Sequence, residues 1–274
     1  MRVAAIQMAS GPNVAANLSE AEKLIGLAAD AGARLVVLPE NFALMGNAER
    51  DKLDIAEQAG SGPIQRFLAR QAASRKIWLV GGTIPLTSQA AGHVRAACLL
   101  FNDRGEQVSR YDKIHLFDVA IEQSGEKYNE SETIEPGDDI VVSQTPLGRL
   151  GLAVCYDLRF PELFRTLLES DMQILAVPSA FTAITGSAHW DILVRARAIE
   201  NQCYVIAAAQ GGYHLSGRET YGHSMIVDPW GNVLDSLPRG SGVVSADIDL
   251  GYVERIRRSF PAVQHRRLSC RTTT

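Results

Sequence analysis

Short β-branched apolar runs alternate with helix-patterned stretches along this chain, and the alternation occurs twice, each series running into a hairpin signal. Residues 2–8 read as a strand. Residues 13–31 then place Val14, Leu18, Ala21, Ile25 and Ala28 at helical spacing, with Gly32 as the stop. A strand at 35–39, a helix from about 62 to 74 and a strand at 77–81 follow, and 96–102 and 107–113 flank Asp103-Arg104-Gly105 as a hairpin. After a polar stretch at 122–139, strands are expected at 148–155, 173–178 and 203–209, with helices at 161–170 and 189–200. Residues 222–228 and 242–249 read as a second hairpin closed around Pro229-Trp230-Gly231-Asn232. Such a pattern predicts an α/β chain of two similar sheets, each covered by helices on one face and packed on the other, in one domain over 1–274.

The 274 residues are 46% hydrophobic and 21% charged, ordinary for a globular enzyme with a sizeable core. A formal net charge of −4, with basic residues bunched only between Arg255 and Arg267, argues against a nucleic-acid partner. The four cysteines form no Cys-x-x-Cys pair and three lie in or beside apolar runs, so a disulfide scaffold is not expected. No leader pattern precedes the first strand and no apolar stretch approaches the ~18 residues of a membrane span. The expectation is a reducing cytoplasm and no membrane partner.

Cys155 closes the apolar run Gly151 to Val154 and is followed by Tyr-Asp-Leu-Arg-Phe-Pro-Glu, with Pro161 near a first helical turn. A thiol there stands at a strand's carboxyl end, the edge where open sheets bind ligands. Glu40 ends the run Leu35 to Pro39 in the same way, so an acid and a thiol are expected on one rim. Attack on an amide carbonyl requires a base for the thiol proton, a donor or cation for the oxyanion and an acid for the departing amine. Glu40 suits the first and last tasks, and Lys113, at the end of a hairpin strand, suits the second. Inert burial of Cys155, a structural Glu40 and a surface ion pair for Lys113 remain open on spacing alone. Gly222-His-Ser-Met-Ile lacks the closing glycine of a serine elbow, and no phosphate loop, dinucleotide fingerprint or metal-ligand histidine spacing occurs. No metal or other cofactor is expected.

The strings Leu-Pro-Glu (38–40), Tyr-x-Lys-x-His-Leu (111–116) and Cys-Tyr-Asp-x-Arg-Phe-Pro-Glu (155–162), in this order, resemble the nitrilase or carbon-nitrogen hydrolase superfamily. The resemblance implies a four-layer α-β-β-α sandwich, a Glu40–Lys113–Cys155 triad and a thioester intermediate. It aligns Tyr-Asn-Glu-Ser (128–131) with a segment whose glutamate lies beside the triad, nominating Glu130 as a supporting carboxylate. It further implies oxyanion contacts from Lys113 and the Tyr156 N–H, a small-molecule amide substrate and a homodimer, for which the apolar, Arg-rich segment 252–274 is the expected interface. Segments 178–182, 185–190, 195–210 and 221–231 are most similar to the branch containing deaminated glutathione amidase, with the neighbouring ω-amidase branch as the alternative.

A substrate of that kind carries carboxylates, so Arg159, Arg195, Arg197 and Arg218 are candidate ligands. Asp191 and Arg195 stand four apart, where a surface ion pair is the simpler account; Arg159 is retained as a substrate-binding candidate. Phe181 and Thr182, just past a strand end, are candidates for lining the pocket. His189, Trp190 and His223 are expected to be buried and hydrogen-bonded. A Cys-His hydrolase using His115 or His223, and a non-catalytic interaction module, are the competing classes.

Overall fold

A computed structural model describes residues 1–122 and 125–269. The first series comprises β1 (Arg2–Gln7), α1 (Val14–Asp30), β2 (Leu35–Val37), α2 (Asp51–Asp54), α3 (Pro63–Arg75), β3 (Trp78–Val80), β4 (Ile84–Thr87), β5 (Val94–Phe101) and β6 (Gln107–Asp112). A small hairpin, β7 (Asp118–Ile121) with β8 (Glu126–Asn129), and a 3-10 turn at Glu130–Glu132 occupy the polar stretch. The second series runs β9 (Val142–Thr145), β10 (Gly148–Leu152), a 3-10 turn at Cys155–Arg159, α4 (Pro161–Glu169), β11 (Ile174–Ser179), α5 (Ala183–Asn201) and β12 (Tyr204–Ala209). It is completed by β13 (Gly211–Tyr213), β14 (Glu219–Tyr221), β15 (Ser224–Val227), β16 (Val233–Leu237), β17 (Gly242–Asp247) and α6 (Leu250–Ser259).

Two sheets result. One has the order β17-β1-β2-β3-β5-β4 with β6 also on β5; the other is β16-β15-β12-β11-β10-β9. In each, three central strands are parallel and the flanking ones antiparallel. Period-2 alternation assigns the faces. Val3, Ala5, Leu35 and Val37 enter the core shared with Leu152, Val177 and Val205 of the second sheet. Their neighbours Ala4, Ile6, Val36 and Leu38 pack instead on Leu24, Ile25, Phe67 and Leu68 of α1 and α3. Phe164, Leu167, Trp190 and Val194 of α4 and α5 cover the second sheet from outside. Each such side chain withdrawn from water stabilises the fold by about 1.5–3 kcal/mol before ordering costs. The layers are therefore α-β-β-α, as expected. Among the described residues, no helix is long and apolar enough to cross a membrane.

The pairing differs from the expected hairpin in one respect. β15 pairs with β16, not with the strand at 242–247, across a turn in which Asp228 Oδ1 accepts from the N–H groups of Trp230 and Asn232 at 2.9 Å each. β16 is largely exposed and mixed in polarity, so its run did not read as a strand. β17 crosses instead to the other sheet, antiparallel to β1 from Arg2↔Asp247 to Gln7↔Gly242. A second difference is that α5 starts at Ala183 rather than 189. Thr182 caps it by accepting from Thr185 N–H at 3.3 Å, which brings the helix start back to the strand end. Gly186, now inside the helix, allows a close approach: a Cβ there would stand 2.3 Å from Cβ of Tyr221. Cys270 and the rest of 270–274, part of the expected interface, lie outside the described residues, as do 123 and 124 of the polar stretch.

Candidate active site

β10 ends at Leu152, three residues sooner than its apolar run suggests, and the chain turns sharply at Cys155, whose φ of 47° lies in the left-handed region. A non-glycine residue held there costs about 1–3 kcal/mol, so the surroundings must enforce it. Asp157, fully buried, does so: its Oδ2 accepts from Val154 N–H at 2.8 Å and from Tyr111 Oη at 2.7 Å. Its Oδ1 accepts from His115 N–H at 3.1 Å and lies 2.7 Å from His115 Nδ1. Pro161 opens α4 immediately after the turn. From the end of β11, Ala180 N–H donates to Cys155 Sγ at 3.4 Å.

Glu40 follows β2 through Leu38-Pro39 and is 3% exposed. Its carbonyl accepts from Gln210 Nε2 at 3.0 Å, anchoring it to the second sheet. Lys113 follows β6 and is 1% exposed, with its N–H donating to Ala96 O at 3.1 Å. Its Nζ donates to Glu40 Oε1 at 2.8 Å and to Glu130 Oε1 and Oε2 at 3.0 and 2.7 Å. Three donors thus meet three carboxylate oxygens. Glu130, at the start of the 3-10 turn after β8, also accepts from Phe117 N–H at 2.8 Å.

The electrostatics follow from burial and these contacts. Burial pushes the Cys155 thiol well above its ordinary value and the charge of Glu40 adds to it, outweighing Lys113 and the Ala180 N–H. Cys155 therefore rests as a thiol, facing a carboxylate. Burial alone would lower Lys113, but Glu130 and Glu40 together hold its ammonium well above the usual range. Burial would raise Glu130, yet the charge and hydrogen bond of Lys113 with the Phe117 N–H bring it below the ordinary carboxylate value.

A small cavity of about 10 Å³ opens on this cluster. All four expected chemical residues, Glu40, Lys113, Glu130 and Cys155, line it, and so do Tyr156, Arg159, Phe181 and Thr182. Arg159 stacks over the rings of Tyr156 and Phe181 at 5.7 and 5.2 Å and lies 3.1 Å from His189 Nδ1. Arg218, one of four arginines weighed, also lines the cavity; Phe117, Ala180 and Thr185 were not foreseen there. Thr185 had one sequence signal, its spacing of three from Thr182 at a helix start.

The other arginines are elsewhere. Arg197 is buried against Leu158 O at 3.1 and 2.6 Å, and Arg195 donates to Gly231 O at 2.9 Å instead of pairing with Asp191, because the 228–232 turn presents a carbonyl beside α5. His189 is exposed rather than buried, since the earlier helix start puts 187–189 on the solvent side of α5. Trp190 is buried and donates to His223 O at 2.7 Å. Neither candidate imidazole base lines the cavity: His115 is bound to Asp157 and stacked on Phe160 at 3.7 Å, and half-buried His223 stacks on Tyr221 at 4.0 Å. Among the described residues, no group of three or more His, Cys, Asp or Glu is arranged to hold a metal ion.

Two face-to-face sheets with an acid, an ammonium and a thiol in one cavity at their strand ends define a hydrolase class that acts on carbon-nitrogen bonds. Residues 2–258 match the carbon-nitrogen hydrolase family, and the chain belongs to it. A deaminated glutathione amidase of Yersinia enterocolitica is 43% identical over 266 residues, covering 97% of this chain and 92% of that protein. The crystal structure of the NitFhit protein of C. elegans superposes with a TM-score of 0.90 at 39% identity over 97% of this chain, which spans 65% of that longer protein. That of Nit3 of Saccharomyces cerevisiae, a member of branch 10 of the nitrilase superfamily, gives 0.87 at 32% identity over 98% of this chain and 97% of that one.

Proposed function

We propose that the protein is an amidase that hydrolyses deaminated glutathione to 2-oxoglutarate and cysteinylglycine through a thioester on Cys155. The observation that carries this reading is the convergence of Glu40, Lys113 and Cys155 on one cavity in a chain 43% identical to a relative of that activity. Glu40 takes the thiol proton as Cys155 Sγ adds to the amide carbon. The negative oxygen is held by Lys113 Nζ and the Tyr156 N–H, each such donor contributing about 2.7–4 kcal/mol in sites of this kind. Glu40 returns the proton to the nitrogen, the C–N bond breaks and cysteinylglycine leaves. Glu40 then takes a proton from water, the hydroxide adds to the thioester, and collapse releases 2-oxoglutarate and the Cys155 thiol. Glu130 acts by orienting Lys113.

On the acyl side, Arg159 pairs with the carboxylate of the 2-oxo acid, its plane already fixed between Tyr156 and Phe181. Thr182 caps α5 and so presents the helix N-terminus to the same anion. The enzyme works in the cytoplasm, where a reducing pool keeps Cys155 free. It pairs as a homodimer: Ile192 and Ile199 of α5, with Trp230 and Phe260 in edge contact, form an exposed apolar area beside the 252–269 segment. Sedimentation at micromolar protein should give twice the 29.7 kDa chain mass.

The reading is tested by comparing kcat/KM for deaminated glutathione and 2-oxoglutaramate. Deaminated glutathione should be preferred. A hundredfold preference for the small monoamide, about 2.7 kcal/mol of differential transition-state binding, would move the chain to ω-amidase activity.

A further inference from the structure

The space over Cys155 leaves half of such a substrate without a place. Pockets that enclose ligands of drug size hold ~300–1,000 Å³. At about 10 Å³, the cavity over Cys155 has room for little beyond the reacting group and cannot hold a tripeptide analogue. A second, larger cleft of about 330 Å³ meets it at Arg218 and is lined also by Asn41, the residue after Glu40. Tyr128, Lys52 and Lys127 contribute to its walls. Lys52 is paired to Glu49 at 2.5 Å, so with Lys127 and Arg218 the lining carries a positive excess.

One side chain belongs to both spaces: Arg218. Its Nη2 donates to Ala180 O at 2.7 Å, on the residue whose N–H meets Cys155 Sγ. Its guanidinium lies over the Tyr128 ring at 5.0 Å. Its Nε is buried and, among the described residues, has no hydrogen-bond partner. Leaving a buried donor unmet costs about 1–3 kcal/mol, so such an atom at a cavity wall calls for an acceptor from outside the chain.

We propose that the cleft is the subsite for the amine half of the substrate and that Arg218 is the residue that selects it: a peptidyl amine ending in a carboxylate. This rests on the amidase reading. The acyl group lies over Cys155 toward Arg159, the scissile nitrogen points along the Glu40–Asn41 edge, and the amine chain crosses Arg218 into the cleft. There the guanidinium meets its peptide oxygen and carboxylate, with Lys127 adding long-range attraction. An amide whose amine is only ammonia leaves these contacts unused.

The test compares two amides with one acyl half, deaminated glutathione and 2-oxoglutaramate, in wild type, Arg218→Met and Ser216→Trp. Ser216 is an exposed residue of the turn before Arg218 and lines the cleft, so a bulky ring there obstructs the space without removing the guanidinium. Losses transmitted through Ala180 to Cys155 affect both amides and cancel in the ratio of their kcat/KM values. The ratio should fall by about tenfold or more in both variants, with a raised KM for deaminated glutathione. Converting the glycine carboxylate to its amide should lower wild-type kcat/KM by about tenfold and that of Arg218→Met by less than about threefold. Hydrolysis of both substrates with the ratio unmoved in both variants overturns the subsite alone. Failure of the wild type to cleave either amide overturns the amidase reading beneath it.

Discussion

Tyr111 Oη donates to Asp157 Oδ2 across 2.7 Å and so ties the strand that leads into Lys113 to the turn that begins with Cys155. Tyr111 lies on β6 of the first sheet and Asp157 in the 3-10 turn that follows β10 of the second, and both are fully buried. The spacing of thiol and ammonium is therefore set by a contact neither of them makes. Tyr111→Phe should cost about 1.5–3 kcal/mol of unfolding free energy in denaturant titrations, the range for a hydrogen bond to a charged group, and should lower kcat although Tyr111 does not line the cavity. A kcat equal to wild type would show that the turn holds its shape without the bond.

Glu40→Gln keeps the shape of the side chain and removes the base. Turnover should fall by about 10²–10⁴-fold, the usual share of general acid–base catalysis. The same change removes a negative charge that helps raise the Cys155 thiol, while Lys113 remains to stabilise a thiolate. Iodoacetamide labelling of Cys155 should consequently begin at lower pH in the variant than in wild type. A shift in the opposite direction would mean that Glu40 does not face the sulfur.

Glu130 gives a stability signature in acid. Its carboxyl is held below the ordinary value in the folded protein, because Lys113 and the Phe117 N–H overcome the effect of burial. Its contribution is complete above the unfolded carboxylate value of about 4.3 and is lost as pH falls through the lower folded value. The stability gap between wild type and Glu130→Gln should be widest near neutrality, about 1.5–3 kcal/mol, and close on acidification. Urea titrations across a pH series measure it; a gap independent of pH would place the carboxylate away from Lys113 in solution.

Gly82 supports the turn that presents Glu40. Its φ is 60°, and a Cβ there would stand 2.2 Å from Pro39 O. Gly82→Ala should therefore lower both melting temperature and kcat. Gly92→Ala is the control, with a φ of 76° but nothing within 4 Å of the added carbon. That change carries only the left-handed penalty of about 1–2 kcal/mol and should leave kcat as it was. Equal kcat in the two variants would show that the turn yields without moving Glu40.

What local chemistry encodes was legible in the chain. Runs of the period of a strand or helix gave the layers, and the breaks after Val154 and Pro39 gave the thiol and the acid. Glu130 came only from the family resemblance, because its neighbours Asn129, Ser131 and Glu132 read as a solvated loop; its ion pair is with Lys113, just past β6 and remote from the loop's own pattern. The path of β17 was invisible for a similar reason. Its alternation fits either sheet, and its partner β1 lies more than 200 residues away. Arg218 was one of four arginines weighed as carboxylate ligands, and nothing local set it apart from Arg195 and Arg197, since its double position depends on the meeting of β8, β11 and the turn after β13.

The β1–β17 pairing has a consequence for biosynthesis. As the polypeptide emerges from a ribosome, β2 can join β1 early, but the opposite edge of β1 stays bare until residue 247 has been released. An uncovered strand of Val, Ala and Ile is a template for unwanted intermolecular pairing. Truncations that stop short of β17 should therefore aggregate even though every element bearing the acid, the ammonium and the thiol has already been made.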